Sequence, residues 1–226
     1  MLNYEIDPEV LRPFVPVGTE LDQWNGGTCV SMVGFLFLNT RIRGMAIPFH
    51  SNFEEVNLRF YVRRMSKEGW RRGVVFIKEL VPRRAIAWTA RTFYNENYAA
   101  VPMRHELQVE SDASSRRVSY EWIFRDRRNR LELCAEGEAN EVQAGSSEEF
   151  ITEHYWGYAR QRNGGTVEYR VEHSRWRVWS VREAMLDCDV EELYGKSFVD
   201  FLQKPPASAF LADGSAVTVF KGVRLN

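Results

Sequence analysis

Residues 54–62 read Glu54-Glu55-Val56-Asn57-Leu58-Arg59-Phe60-Tyr61-Val62, and apolar and polar side chains alternate along them. A period of two is typical of a β-strand with one apolar and one polar face. Residues 73–88 then read as a second strand, which Pro82 ends, and as the start of a helix over 82–94. An extended pattern resumes over 101–109. We expect any ligand site to lie in this part of the chain.

The flanking sequence predicts more antiparallel strands. Residues 28–38 are almost wholly apolar, as in a strand buried on both faces, whereas 118–124 and 131–135 alternate strictly and flank a predicted turn at 126–130. Ser146 and Glu149 form a capping box that predicts a helix through Tyr155. We find no repeat, low-complexity tract or linker. The sequence therefore predicts a single α+β domain over 1–226, mainly antiparallel β with a few covering helices.

Composition excludes several classes of partner. Lys and Arg total 30 against 31 Asp and Glu, so the formal net charge is −1, and no global field attracts nucleic acid or an anionic membrane. Four arginines cluster at 125–130, but the cluster includes Asp126 and lies on a predicted hairpin turn, which is typical of a solvated loop. We predict neither nucleic-acid nor membrane binding.

The cysteines indicate reduced thiols. Cys29, Cys134 and Cys188 lie far apart without a CxxC motif or a histidine at ligand spacing, so neither a disulfide nor a metal site is expected. No apolar run approaches a membrane span, and no leader precedes the first strand. We expect a soluble, cytoplasmic protein without a cofactor. Sequence typical of a folded domain begins almost at Met1. The possibility that the start was placed too late, so that an N-terminal strand is truncated, therefore stays open.

Known catalytic motifs for hydrolases, nucleotide binding and zinc are absent. The remaining candidate site is the polar face with Glu55, Asn57 and Arg59, together with Lys78 or Glu79 from the next strand. In a curved sheet such a face can line a cavity, where these groups would orient an anionic or carbonyl ligand. A lysine beside another cation in an apolar cavity could also form a Schiff base.

An alternative for the same residues stays open. Glu55, Arg59 and Lys78 could form a solvent-facing ladder of cross-strand ion pairs. Alternation alone favours this structural role.

Four segments carry a family resemblance: residues 4–16, 20–22, 54–62 and 73–76. In this order they resemble a YqjF-like uncharacterised bacterial family, which in turn is similar to acetoacetate decarboxylase. The resemblance implies a cone-shaped antiparallel barrel around a closed cavity.

The same resemblance bears on individual residues. The decarboxylase uses a Schiff-base lysine in a Pro-Lys-Lys-Leu-Gly segment, whereas the matching region here, 93–98, has no lysine. A catalytic glutamate of that enzyme falls near Glu54 or Glu55, and its N-terminal arginine would precede Met1. Lys78 lies on an earlier strand, so a Schiff-base lysine there would be independent of the one in the decarboxylase. The resemblance thus implies a cavity without the decarboxylase nucleophile.

Three functional hypotheses follow. The first is a barrel that binds a small carboxylate- or carbonyl-bearing molecule. The second is a lyase, hydratase or isomerase that acts on a keto or hydroxy acid with Glu55 as the general acid or base. The third is a non-catalytic interaction protein, for example a homodimer. The predicted site has Glu55 as the catalytic residue and the following ligand-binding residues: Asn57, Arg59, Lys78, Tyr94, Glu96 and Tyr98.

Overall fold

The computed structural model of the chain describes residues 1–42, 45–46, 52–82, 97–110, 114–161 and 164–225. The strands in these ranges are β1 Leu2–Ile6, β2 Glu20–Leu21, β3 Thr28–Phe37, β4 Arg41–Ile42, β5 Met45–Ala46, β6 Phe53–Ser66, β7 Gly69–Val81, β8 Tyr98–Ala100, β9 Met103–Val109, β10 Ser115–Phe124, β11 Arg127–Glu141, β12 Trp156–Arg160, β13 Thr166–His173, β14 Arg177–Asp187, β15 Ser208–Ala212, β16 Val217–Val219 and β17 Val223–Leu225. The α-helices are α1 Pro8–Leu11, α2 Ser147–Thr152, α3 Val190–Tyr194 and α4 Val199–Leu202.

One large sheet dominates the fold. Its strands follow the order β16-β13-β12-β7-β6-β3-β1-β15-β14-β11-β10-β9, while β17 pairs with β13, β2 with β6 and β8 with β7. Within the described ranges only the pairings of β7 with β12 and with β8 are parallel. β15 lies between β1 and β14. It therefore joins the half of the sheet that runs from β16 to β1 to the half that runs from β14 to β9.

The sheet curls around one hydrophobic core. We call the face that packs into this core the inner face, and the opposite face the outer face. On β6 the inner face carries Val56, Leu58 and Phe60, none of which is exposed to solvent. Trp122 of β10 and Leu193 of α3 belong to the same core. Strands from both halves and the short helices therefore share one apolar interior.

The sheet curls so that its terminal strand β9 approaches β6, and we call the contact between these two strands the seam. There Nδ1 of His105 on β9 lies 2.8 Å from Oε1 of Glu54 on β6. No strand ladder joins β9 to β6 among the residues that the structure describes, so the barrel is open along this seam. The predicted class, mainly antiparallel β with a barrel-like curl and few helices, is confirmed.

The outer face of β6 is also covered. The Tyr61 ring packs edge-on against Phe150 of α2 at 5.3 Å, and Phe210 of β15 lies in the same cluster. Ser146 caps α2 by accepting a hydrogen bond from the backbone N–H of Glu149 at 3.2 Å, so the capping box is confirmed. Helix α2 therefore encloses polar groups that would otherwise face solvent.

Two local predictions were wrong. The turn after β10 consists of Arg125 and Asp126, both with positive φ of 45° and 65°, so pairing resumes at Arg127 and the other arginines of the cluster lie in β11 rather than in a loop. Helix α2 ends at Thr152, short of the predicted end at Tyr155, and a strand begins at Trp156. Beyond Pro82, the helix predicted over 82–94 lies outside the described residues.

No helix in the described ranges combines the length and the apolar content that crossing a bilayer requires.

Candidate functional site

Four residues on the outer face of β6 form what we call the polar strip: Glu55, Asn57, Arg59 and Tyr61. Strand alternation puts them on one side, and the covering elements then remove Glu55, Asn57 and Tyr61 from solvent at 2%, 1% and 1% exposure. The strip is therefore not a solvent-facing ladder of ion pairs. It is a row of buried polar groups, which is costly to maintain unless each group has a partner.

Two buried carboxyl groups lie near the end of the strip that begins with Glu55: those of Glu55 itself and of Glu79 on the neighbouring strand β7. Asn57 Nδ2 donates to Glu55 Oε1 at 3.0 Å, and the hydroxyl of Tyr98 lies 3.4 Å from Glu55 Oε2. Glu79 on β7 pairs directly with Asn57 and is 1% exposed. Asn57 Oδ1 is buried and accepts no hydrogen bond from the described part of the chain. An amide oxygen that needs a donor thus sits beside two carboxyl groups.

A β-bulge decides which residues of β7 share this face. The register shifts between Leu58 and Arg59, so Ile77 has no partner residue on β6. The carbonyl of Ile77 instead accepts a hydrogen bond from Asn97 Nδ2 at 2.9 Å. As a result Glu79 reaches the outer face, while Lys78 turns to the inner face.

Lys78 therefore does not join the polar strip. Its Nζ donates to the carbonyl of Leu193 in the last turn of α3 and lies 5.6 Å from the Phe124 ring centroid. Burial lowers the pKa of Lys78, and the nearby Arg125 lowers it further. A cation in this position satisfies a helix C-terminal carbonyl. The predicted grouping of Lys78 with Glu55 is not what the structure shows.

Arg59 occupies the middle of the strip. Its Nη2 donates to the carbonyl of Ile151 at 3.3 Å, and its guanidinium carbon lies 5.7 Å from the Tyr61 ring centroid. Its Nε is buried and donates to no acceptor among the described residues. Among the described residues, the strip thus carries a buried acceptor without a donor, on Asn57, and a buried donor without an acceptor, on Arg59.

The other end of the strip, at Tyr61, is a closed hydrogen-bond chain. Ser31 Oγ donates to Asn3 Oδ1 at 2.7 Å and lies 2.6 Å from the Tyr61 hydroxyl. Because a serine hydroxyl has one proton, Tyr61 donates to Ser31. Asn3 Nδ2 then donates to Ser208 Oγ at 3.0 Å. Burial raises the pKa of Tyr61, so this end ties four strands together as neutral groups.

Behind Tyr61 lies a buried histidine that sequence analysis did not single out. The His154 ring lies 4.6 Å from the Tyr61 ring, and its Nε2 is 3.7 Å from Asp22 Oδ2, too far for a hydrogen bond. Arg72 Nε donates to the same Asp22 oxygen at 2.6 Å. Burial opposes the charge on Asp22, but His154 and Arg72 outweigh it and lower the pKa of that carboxyl.

Cys29 is not an activated nucleophile. Its side chain packs against the cluster around Tyr61 and Phe150, and burial raises the pKa of its thiol to about 12. A thiol attacks only as the thiolate. Within the described ranges, no group of three or more histidine, cysteine or acidic side chains is placed to hold a metal ion.

The predicted site residues fall into three groups. Glu55, Asn57, Arg59 and Tyr98 lie along or beside the polar strip, whereas Lys78 lies on the other face. Tyr94 and Glu96 lie outside the described residues. His154 escaped prediction because it reaches Tyr61 from more than ninety positions away, and no local pattern marks such a contact. His105 was visible only as one member of an alternating strand.

A family model, DUF2071, described as an uncharacterized conserved protein, matches residues 1–216. The chain belongs to the DUF2071 family. This DUF2071 protein is 34% identical over 105 residues to the uncharacterized protein YqjF of Bacillus subtilis (strain 168). The match covers 46% of the present chain and 42% of YqjF, so it spans less than half of that relative.

Solved structures show the same fold as this DUF2071 protein. Acetoacetate decarboxylase from Legionella pneumophila subsp. pneumophila str. Philadelphia 1 aligns with a TM-score of 0.63 and 13% identity, over 100% of this chain and 83% of that one. An acetoacetate decarboxylase-like enzyme from Sphingomonas wittichii RW1 gives 0.63 and 14%, over 100% and 89%. The enduracididine biosynthesis enzyme MppR complexed with pyruvate gives 0.61 and 13%, over 99% and 83%. At such identities the likeness establishes the fold alone.

Proposed function

We propose that this DUF2071 protein binds a small hydroxy acid, or a 2-oxo acid as its enol, along the polar strip. The observation that carries the proposal is a pair of buried groups on one strand face that have no hydrogen-bond partner among the described residues, the acceptor Asn57 Oδ1 and the donor Arg59 Nε. Two residues along a strand span about 7 Å, which suits a molecule with a hydroxyl at one end and a carboxylate at the other.

Energetics support a ligand at this position. Each buried polar atom without a partner destabilises the fold by about 1–3 kcal/mol. A ligand hydroxyl that donates to Asn57, and a carboxylate that accepts from Arg59, would remove both penalties. The guanidinium fork matches a carboxylate in geometry as well as in charge.

The fold neighbours support the class of ligand. MppR has the same fold and has been solved with pyruvate bound, and pyruvate is a small 2-oxo acid. The Schiff-base chemistry of the decarboxylase is not part of the proposal, because the matching segment 93–98 lacks a lysine and Lys78 faces the other side of the sheet.

Binding is tested by calorimetric titration of the full chain with lactate, pyruvate and 2-oxobutyrate. Arg59→Ala and Asn57→Leu should each weaken binding at least tenfold, which corresponds to about 1.4 kcal/mol, because each removes one of the two groups that meet the ligand.

Arg63→Ala is the matched control for this titration, since Arg63 follows on the same strand face but pairs with Glu20 at 2.7 Å near solvent. It should bind like the wild type. Equal affinity in all three variants, with unchanged melting, would exclude the polar strip as the site.

A second candidate function is catalysis at Glu55. Its carboxyl group is buried and held by Asn57 Nδ2 beside the position proposed for the ligand hydroxyl, where a base could remove a proton next to a carbonyl. This supports the hypothesis of a lyase, hydratase or isomerase.

Proton removal is measured as deuterium exchange into the methyl group of pyruvate in D₂O, followed by ¹H NMR. Exchange faster than the uncatalysed rate should fall at least a hundredfold in Glu55→Gln, the usual size of a general-base contribution. The control is Glu132→Gln, which alters a glutamate on the outer face of β11. Exchange that persists in Glu55→Gln rules out Glu55 as the base. If the wild type shows no exchange above the uncatalysed rate, only the binding proposal remains.

A further inference from the structure

The seam between β6 and β9 brings together an ordered pair of side chains. His105 Nδ1 lies 2.8 Å from Glu54 Oε1, and their side chains are 39% and 18% exposed. When a carboxylate holds one imidazole nitrogen as the N–H, the other nitrogen keeps its lone pair. In the neutral tautomer with the proton on Nδ1 toward Glu54, Nε2 of His105 is an acceptor at the seam.

A hydroxyl donor lies next to this acceptor. Tyr120 on β10 is the direct cross-strand neighbour of His105, with 6.3 Å between the ring centroids. Its ring rests on Gly34, where even a methyl group would come within 2.6 Å of it. Its hydroxyl makes no hydrogen bond with the residues that the structure describes. Burial and the Glu54 carboxylate raise the pKa of Tyr120, so the hydroxyl keeps its proton.

Apolar side chains continue from this pair along the same face of β9. Leu107 and Val109 follow His105 at alternate positions, and they are 59% and 48% exposed. Leu107 pairs with Val118, which packs against the core. An apolar surface open to solvent therefore adjoins one hydrogen-bond acceptor and one donor.

We propose that the seam is a second ligand site, at which His105 and Tyr120 bind the hydroxyl of a small phenol or apolar alcohol. The hydroxyl oxygen donates its proton to Nε2 of His105 and accepts the proton of Tyr120. The apolar body of the ligand covers Leu107 and Val109.

The site is independent of the polar strip. It lies on the inner face, whereas Glu55 and Asn57 lie on the outer face of the same strand. It also differs in chemistry, since its ligand needs an apolar body and no carboxylate. The failure of one proposal would leave the other intact.

The test is a ¹⁹F NMR titration of the full chain with 4-fluorophenol, and with fluorobenzene as the matched probe without a hydroxyl. The wild type should show a saturable shift of 4-fluorophenol, and fluorobenzene should bind at least tenfold more weakly. Tyr120→Phe and His105→Phe should each weaken 4-fluorophenol binding at least tenfold. Tyr155→Phe, which changes a tyrosine bonded to Glu153, is the control and should bind like the wild type.

Tyr120→Phe separates binding from structure, because it keeps both the ring on Gly34 and the contact between His105 Nδ1 and Glu54. Long-range ¹H–¹⁵N spectra of the His105 ring give a second measurement. The wild type should show the proton on Nδ1, and Glu54→Gln should redistribute it between the two nitrogens. No saturable shift, equal binding of the two probes, or full binding in Tyr120→Phe would each overturn the proposal.

Discussion

His154 is a residue whose charge the fold suppresses. Its side chain is 2% exposed and packs against the rings of both Tyr61 and Phe150, with centroid distances of 4.6 and 5.5 Å. Burial lowers the pKa of His154 to about 4, against the opposing attraction of Asp22. In the unfolded chain the value is about 6.5, so between these two values the unfolded state binds the extra proton. Stability from this residue is present above pH 6.5 and is lost as the pH falls toward 4.

We therefore expect the free energy of unfolding to decrease by about 3 kcal/mol between pH 7 and pH 4 through His154. His154→Phe should remove that part of the decrease, because the ring remains but cannot take up a proton. Urea denaturation at several pH values measures the effect. Phe150→Leu loosens the same cluster without removing the histidine, so it should lower stability and still lose further stability as the pH falls. Parallel pH curves for wild type and His154→Phe would contradict the assignment.

At the scale of strands, tyrosine rings pack over glycines on neighbouring strands. In β12 and β13, Gly157 pairs with Tyr169, and a methyl group on Gly157 would lie 2.1 Å from Cζ of that ring. At the junction of β7 and β12, Gly73 takes the ring of Tyr158 in the same way at 2.6 Å. Since both rings are buried, neither can move aside without disturbing the core.

Gly157→Ala should accordingly destabilise the protein by about 1–3 kcal/mol, the usual effect of overpacking. Gly27→Ala is the matched control, since a methyl group there would meet only the carbonyl of Trp24 at an ordinary 3.6 Å. It should change stability by less than about 0.5 kcal/mol. Chemical denaturation of both variants decides the matter, and equal stabilities would mean that the Tyr169 ring relaxes freely.

Elements whose signals are local were predictable from sequence. Alternation located β6 and both of its faces, and the capping box located α2. The bulge at Ile77 was not predictable, because the side chain that holds it, Asn97, lies twenty residues later. The sequence therefore could not show whether Lys78 or Glu79 shares the face of Glu55. For the same reason it could not show that the polar face is enclosed, since the enclosing Phe150 lies far along the chain.

At the scale of the whole molecule, β15 is the strand that joins the two halves of the barrel. It pairs with β1 through Leu2 and with β14 through Ser180, and its Phe210 is buried at 2% exposure under the polar strip. β16 and β17, by contrast, lie at the edge of the sheet against β13. The C-terminal segment therefore contains one strand on which the barrel depends and two that only extend it.

Two truncations test this difference. A chain that ends after Gln203 should lose its cooperative thermal transition, because the edges of β1 and β14 are then unpaired and the cover of Tyr61 is incomplete. A chain that ends after Asp213 keeps β15 and should unfold cooperatively at a lower temperature. Circular dichroism melting curves distinguish the two. A cooperative transition in the shorter chain would show that the halves hold together without β15.

The position of β15 also sets the order of events while the chain is being made. β1 can form its ladder with β3 early in synthesis. Its other edge stays unpaired until β15, about two hundred residues later, has been synthesised. At roughly 5–20 residues per second this delay is roughly 10–40 s. During that time the nascent chain carries a hydrophobic strand with an unpaired edge, which is the kind of template that invites aggregation. The growing polypeptide is thus most vulnerable just before β15 emerges, and a chaperone would have its greatest effect in that interval.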